Sequence, residues 1–154
     1  MSPVGIDRAR ALGAREDGRA VAVTLRNDGL PQAAVVNAGV VDDPVTGDAV
    51  VGFVARGATK KLAHLRARPR VTVVFRSGWE WVAVEGDAGL AGPDDSLEGF
   101  ETGDVSRLIR TVYAAAVGGT QEDWAELDAV IGAERHAAVL VRATRVYSNP
   151  GSAP

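Results

Sequence analysis

Five short valine-rich runs make up nearly half of the first ninety residues, with turn signals between them. They are 20–26 (AVAVTLR), 31–41 (PQAAVVNAGVV), 49–55 (AVVGFVA), 70–76 (RVTVVFR) and 79–90 (WEWVAVEGDAGL). Period-two alternation with β-branched residues predicts strands, not helices. Asn27-Asp28-Gly29 joins the first two as a hairpin, 42–48 (DDPVTGD) is a polar turn, and Ser77-Gly78 joins the last two. The run 49–55 is apolar on both faces and is expected to be buried. In 79–90, Trp79, Trp81 and Ala83 fall on one side, and Glu80, Val82 and Val84 on the other. A sixth run, 137–147 (AAVLVRATRVY), closes the pattern. Tight turns at roughly ten-residue spacing favour a small closed antiparallel barrel over an open parallel sheet. No glycine fingerprint stands between a strand and a long helix, which excludes a dinucleotide-binding α/β fold.

Helical spacing appears in four places. Residues 4–16 are weakly helical; 59–68 (TKKLAHLRAR) place Leu62 and Leu65 on one side and stop at Pro69; 104–117 and 121–131 flank Gly118-Gly119. Residues 91–99 read as a Gly/Pro/Asp linker. A length of 154 residues fits one domain, 1–154, with a core of about 20–150.

Composition narrows the function classes. Hydrophobic residues at 46% and charged residues at 24% describe a globular chain. No apolar run approaches the roughly 20 residues of a membrane span, and no basic segment followed by an apolar one suggests a secretory leader. Cysteine is absent, which removes disulfides, thiolate chemistry and thiolate metal sites and fits the cytoplasm. Two histidines, His64 and His136, are a poor basis for a metal site. A net charge of −3 disfavours nucleic acid or an anionic membrane as partner.

The charge is nevertheless unevenly placed. Residues 49–79 contain no acid and carry Arg56, Lys60, Lys61, Arg66, Arg68, Arg70 and Arg76. Lys60 and Lys61 are the only lysines, against 15 arginines. With Thr59 as N-cap, both fall in the first turn of a short helix, where the helix dipole is already positive; each such placement costs about 0.3–1 kcal/mol. The cost reverses if an anion binds there, because free amides, the Thr59 hydroxyl, two ammoniums and a guanidinium together suit a phosphate. A solvated basic face is the plain alternative.

Other residues carry weaker signals. Trp79 and Trp81 read either as pocket lining or as the core of a subunit interface, and Trp124 as packing. His64, one turn after Lys60, could reach the same anion but reads rather as a partly exposed helix residue, and His136 has no assigned role. Asp94-Asp95 and Glu122-Asp123 read as linker and helix-start acids. No phosphate-binding loop, HExxH or GxSxG is present, and no catalytic residue stands out.

The run from 49 to 86 resembles the flavin/deazaflavin split β-barrel superfamily of pyridoxamine 5′-phosphate oxidase. The carriers are the triplet Thr59-Lys60-Lys61 opening a short helix, Pro69-Arg70-Val71 after it, and the closing Val84-Glu85-Gly86. The ending Arg145-Val-Tyr-Ser-Asn-Pro150 is similar to the actinobacterial branch that uses coenzyme F420, a deazaflavin. The resemblance implies a mainly β split barrel with a short inserted helix and peripheral helices. It also implies a homodimer with the cofactor in the groove between subunits. The activity implied is hydride transfer to or from a small conjugated organic molecule, with F420 as cofactor, or FMN as alternative. A non-catalytic carrier of a tetrapyrrole or phosphorylated cofactor is the remaining reading. By position, Lys60 and Lys61 match the phosphate-binding basic pair, Thr59 the hydroxyl beside them, and Arg56 an added cation. Val54 and Ala55 match the strand end along the cofactor, and Gln32 to Asn37, including Val36, the segment whose backbone borders the ring. Trp81 stands where the vitamin-linked oxidases carry a glutamine that reaches the cofactor, from the partner chain in some cases. The basic C-terminal residues that hold substrate phosphate in those oxidases are not recognisable here.

Overall fold

The structure, a computed structural model, describes residues 3–117 and 124–149. In chain order they form α1 (Pro3–Arg15), β1 (Arg19–Leu25), β2 (Pro31–Asp42), β3 (Ala49–Ala55), α2 (Lys60–Ala67), β4 (Arg70–Ser77), β5 (Glu80–Ala91), a 3-10 turn (Thr102–Asp104), α3 (Val105–Val117), α4 (Trp124–Ala133) and β6 (Ala137–Ser148). The strands close into one barrel in the order β1-β2-β3-β6-β5-β4, every neighbour antiparallel. The split-barrel expectation holds. Its Gly118-Gly119 break, Glu122-Asp123, the start of the 121–131 helix, the Trp124 side chain and Pro150 lie outside what is described.

Alternate, inward-facing positions of the strands make the core. Val51 and Phe53 of β3, Val73 and Phe75 of β4, Val82 and Val84 of β5, and Val139 and Val141 of β6 are all fully buried. Each such side chain contributes about 1.5–3 kcal/mol of transfer free energy. Helix α1 adds Ile6, Ala9 and Leu12 to this cluster, and α2 adds Leu62 and Leu65. The helices sit at opposite ends of β1: Gly13 of α1 lies against Phe75, which pairs with Ala20, whereas His64 of α2 bonds Thr24.

A second cluster explains why β3 is apolar on both faces. Leu108, Ile109 and Val112 of α3, with Ile131 of α4, cover Val41, Val50, Ala138 and Leu140 on the barrel's outside. Helix α3 rests almost on bare backbone: a Cβ at Gly39 would lie 2.6 Å from the Ala115 carbonyl carbon. Only glycine permits that approach.

The opposite outer face is more open. The row Val35–Val21–Val74–Ala83–Tyr147 runs across neighbouring strands, with Val35 71% exposed and Val21 and Tyr147 each 37% exposed. Strand β5 begins at Glu80, so Trp79 sits in the turn at 69% exposure and does not share a strand face with Trp81. Trp81 instead meets Tyr147 edge-on, centroids 5.8 Å apart.

Candidate functional site

The barrel has an incomplete seam. Strand β2 pairs with β1 from Pro31 to Asn37, but its pairing with β3 starts only at Ala38, opposite Phe53. The first half of β2 therefore has a margin that β3 does not cover. The chain leaves β3 at Ala55 and passes through 56–59 into α2 beside that margin.

Three depressions lie along this region. A small one, about 110 Å³, is lined by Asn37 and Val54 together with Ile109, Tyr113, Leu127 and His136. A second, about 510 Å³, brings Gln32 to Lys60 and His64, with Arg26, Asn27 and Asp28. A third, about 610 Å³, joins Arg56 and Thr59 to Asp94, Glu134 and Arg135. Sequence-predicted residues thus meet in pairs: Asn37 with Val54, Gln32 with Lys60, Arg56 with Thr59. Val36 and Ala55 differ, since both side chains are buried in the barrel core. What they offer the outer surface is backbone, as inward-facing strand residues must. Trp81 pairs with Arg76, six residues along β4 from the end next to α2, so about 20 Å separates it from that end.

Local structure holds the basic loop in shape. Thr59 occupies the N-cap position of α2 in extended conformation, but its hydroxyl makes no bond to the helix amides. Thr59 Oγ1 donates instead to the Arg56 carbonyl at 2.8 Å, tightening the turn. The N-cap expectation is corrected to that extent, and the first-turn amides of α2 are left without that side-chain partner. The Gly57 N–H donates to the Glu134 carbonyl at 3.0 Å, and a Cβ at Gly57 would stand 2.7 Å from the Arg135 carbonyl oxygen. The loop is thereby docked on the turn before β6.

Electrostatics sort the basic residues. Arg66 binds Asp95 with two bonds of 2.8 Å, Arg70 meets Asp87 at 2.8 Å, and Arg135 grips Asp94 through two bonds. Arg68 donates to Asn27 and Arg76 to the Gly78 carbonyl. No ion pair among the described residues involves Arg56, Lys60 or Lys61. Lys60 is exposed and Lys61 half-buried. Burial holds the Lys61 ammonium below the usual lysine range, and the Arg56 guanidinium pushes it the same way. A cation disfavoured by burial and by its neighbour is one that an anion would relieve. These residues therefore fit a phosphate-bearing cofactor.

Sequence reasoning missed three features. His64 Nδ1 lies 2.9 Å from the hydroxyl of Thr24, a polar side chain only 2% exposed. Tyr113 and His136 line the Asn37–Val54 depression, with His136 Nε2 2.8 Å from Glu134. Asp94 and Asp95 each hold an arginine from a distant element. The i, i+4 spacing of Lys60 and His64 was the one signal available in the sequence. Among the described residues no group of three or more His, Cys, Asp or Glu is arranged to hold a metal, and no helix is long and apolar enough to cross a membrane.

Comparison with known proteins agrees with this architecture. The family model described as pyridoxamine 5′-phosphate oxidase matches residues 8–147. A solved pyridoxamine 5′-phosphate oxidase-related, FMN-binding protein from Nostoc punctiforme is 15% identical, with 96% of this chain and 84% of that one covered, at a TM-score of 0.62. A heme-binding protein from Mycobacterium smegmatis is 18% identical over 100% of this chain and 57% of its own, at 0.63. An F420 reductase is 19% identical over 90% and 94%, at 0.53. At such identities the shared property is the fold. No curated protein matches the sequence.

Proposed function

The chain belongs to the pyridoxamine 5′-phosphate oxidase family, and from that premise we propose that it is an oxidoreductase using coenzyme F420. Its substrate is a small conjugated organic molecule, and its working form is a homodimer. The observation that carries this reading is the trio Arg56, Lys60 and Lys61, unmatched by acids among the described residues, beside the uncovered margin of β2.

Gln32, Lys60 and Lys61 would hold the cofactor's phosphate, with Thr59 joining them once its hydroxyl turns from the Arg56 carbonyl, and Arg56 would hold the acidic tail. Asn37 and Val54, with the backbone of 32–37 and of Ala55, would border the ring. The bound deazaflavin supplies a ring carbon that gives or accepts hydride, so the protein needs no nucleophile. The chain's own tasks are to hold the anion, orient the ring and exclude water. One barrel of this size leaves a tricyclic ring exposed, and a second copy laid over the Val35–Val21–Tyr147 face would cover the seam. Trp81, remote from Lys60 within one chain, would reach the cofactor only across such an interface.

Titration with F420, followed by its fluorescence, tests the reading. Saturation at or below tens of micromolar is expected; no binding at that concentration sinks it. A phosphate site does not by itself separate F420 from FMN, so FMN is titrated in parallel, and tighter FMN binding replaces the cofactor while leaving the site. A carrier role predicts bound ligand, a tetrapyrrole for example, that no acceptor oxidises or reduces.

A further inference from the structure

One polar pair beside the basic loop has no place in the reading above. His64 stands one helical turn beyond Lys60, so the two side chains share a face of α2. Both line the depression that contains Gln32. The imidazole does not wander: its Nδ1 is anchored at 2.9 Å to the Thr24 hydroxyl, which is sealed under the helix at the end of β1. That leaves Nε2 as the ring's remaining polar atom.

The other charged and polar groups of this depression are largely committed to one another. Arg26 is paired with Asp28 at 2.6 Å, and Asp28 also accepts from the Leu30 N–H. Asn27 Oδ1 accepts from Arg68, which reaches over from the end of α2. Lys60 has no ion pair among the described residues, and Gln32 is exposed. The groups facing His64 are therefore Thr24 from β1, Arg26, Asn27 and Asp28 from the hairpin connection, Gln32 from β2, and Lys60 and Arg68 from α2 with its C-cap. With Arg26 and Asp28 cancelling, an arriving anion meets Lys60 and one oriented imidazole.

We infer that His64 is a further binding residue for the anion held by Lys60, and that Thr24 is its positioning residue. The ring reaches the anion through Nε2–H. Histidine gains its second proton in the range where small environmental changes decide its charge. An anion beside Nε2 favours the imidazolium, so binding draws a proton from solvent onto the ring, and the Thr24 hydroxyl turns to accept from Nδ1–H. The balance is one proton taken up, with no covalent change. This rests on the phosphate reading of Lys60 but is separable from it.

The experiment is calorimetric titration at pH 6, 7 and 8, with inorganic phosphate, FMN and F420 as probes. It is carried out in phosphate-free buffers of different ionisation enthalpy. Wild-type protein is expected to take up protons on binding, and His64→Ala to lose that uptake along with about tenfold in affinity at pH 6, and much less at pH 8. His64→Gln, which keeps an N–H donor but no titratable proton, should recover part of the affinity and none of the uptake. Thr24→Ser should behave as wild type. Thr24→Val should bind as weakly as His64→Ala if it folds; the serine and glutamine variants carry the conclusion if it does not. Cofactor binding unaffected by His64→Ala at every pH overturns the role of His64 and leaves the F420 reading standing. His64-dependent binding of inorganic phosphate or FMN without F420 binding supports the role and removes F420. No binding of any probe overturns both.

Discussion

Lys61 offers the sharpest test of the site, because its ammonium is disfavoured without a ligand and needed with one. Consider Lys61→Met, which keeps the half-buried stem and removes the charge. Without ligand, the substitution deletes a cation that burial and Arg56 both hold below its usual proton affinity. The ligand-free protein should therefore melt higher than wild type. With ligand, it deletes a charge-assisted contact in a partly desolvated position, about 1.5–3 kcal/mol, or roughly 10- to 150-fold in affinity. Lys60 is exposed, so Lys60→Ala should cost only about 0–1 kcal/mol, at most about fivefold. The double substitution then loses about 1.5–4 kcal/mol. Fluorescence titration with F420 reads the affinities, and thermal denaturation without ligand reads the stability. The reasoning is refuted if Lys60→Ala weakens binding as much as Lys61→Met, or if ligand-free Lys61→Met melts below wild type.

Further outcomes follow from the geometry. Gly57→Ala places a Cβ 2.7 Å from the Arg135 carbonyl and must push the 56–59 loop off its docking turn; it should destabilise by about 1–3 kcal/mol in denaturant unfolding and weaken cofactor binding with it. Val35→Asp changes a side chain that is 71% exposed, so the monomer should stay folded by circular dichroism; light scattering should show a shift from dimer to monomer, together with loss of F420 binding. The hydrogen bond from Arg135 holds the Asp94 carboxyl below the ordinary aspartate range. A lowered folded-state value means a contribution present above the unfolded value and lost as pH falls through the folded one. Asp94→Asn should accordingly melt lower than wild type near neutrality, with the difference closing in acid below the ordinary aspartate range.

Much of the barrel was legible because each strand carries its own alternation. Four of the six strands begin at the residue expected from pattern alone, Pro31, Ala49, Arg70 and Ala137, and the other two are displaced by one. The double apolar face of 49–55 foretold the cover now seen from α3. The site was legible only in part. A linear window shows seven cations and no acid, yet Asp87 and Asp95 reach Arg70 and Arg66 from beyond it. Arg68 and Arg76 spend donors on Asn27 and the Gly78 carbonyl, so what remains is a smaller group than composition suggests, Arg56, Lys60 and Lys61. The Thr24–His64 contact joins residues 40 apart and depends on where α2 settles against β1. Val36 and Ala55 were grouped with the site by segment, whereas strand parity sends both side chains inward. The uncovered margin of β2 follows from unequal pairing with its two neighbours, a tertiary property that no local pattern encodes.

The near contact between Gly39 and the Ala115 carbonyl has a consequence for engineering. Helix α3 supplies Ile109 and Tyr113 to the small chamber beside Asn37 and Val54, so the helix's height above β2 sets that chamber's breadth. Adding a single methyl group at residue 39 would lift the helix and widen the chamber from behind. A designer seeking room for a bulkier guest can therefore work from a residue that never touches it.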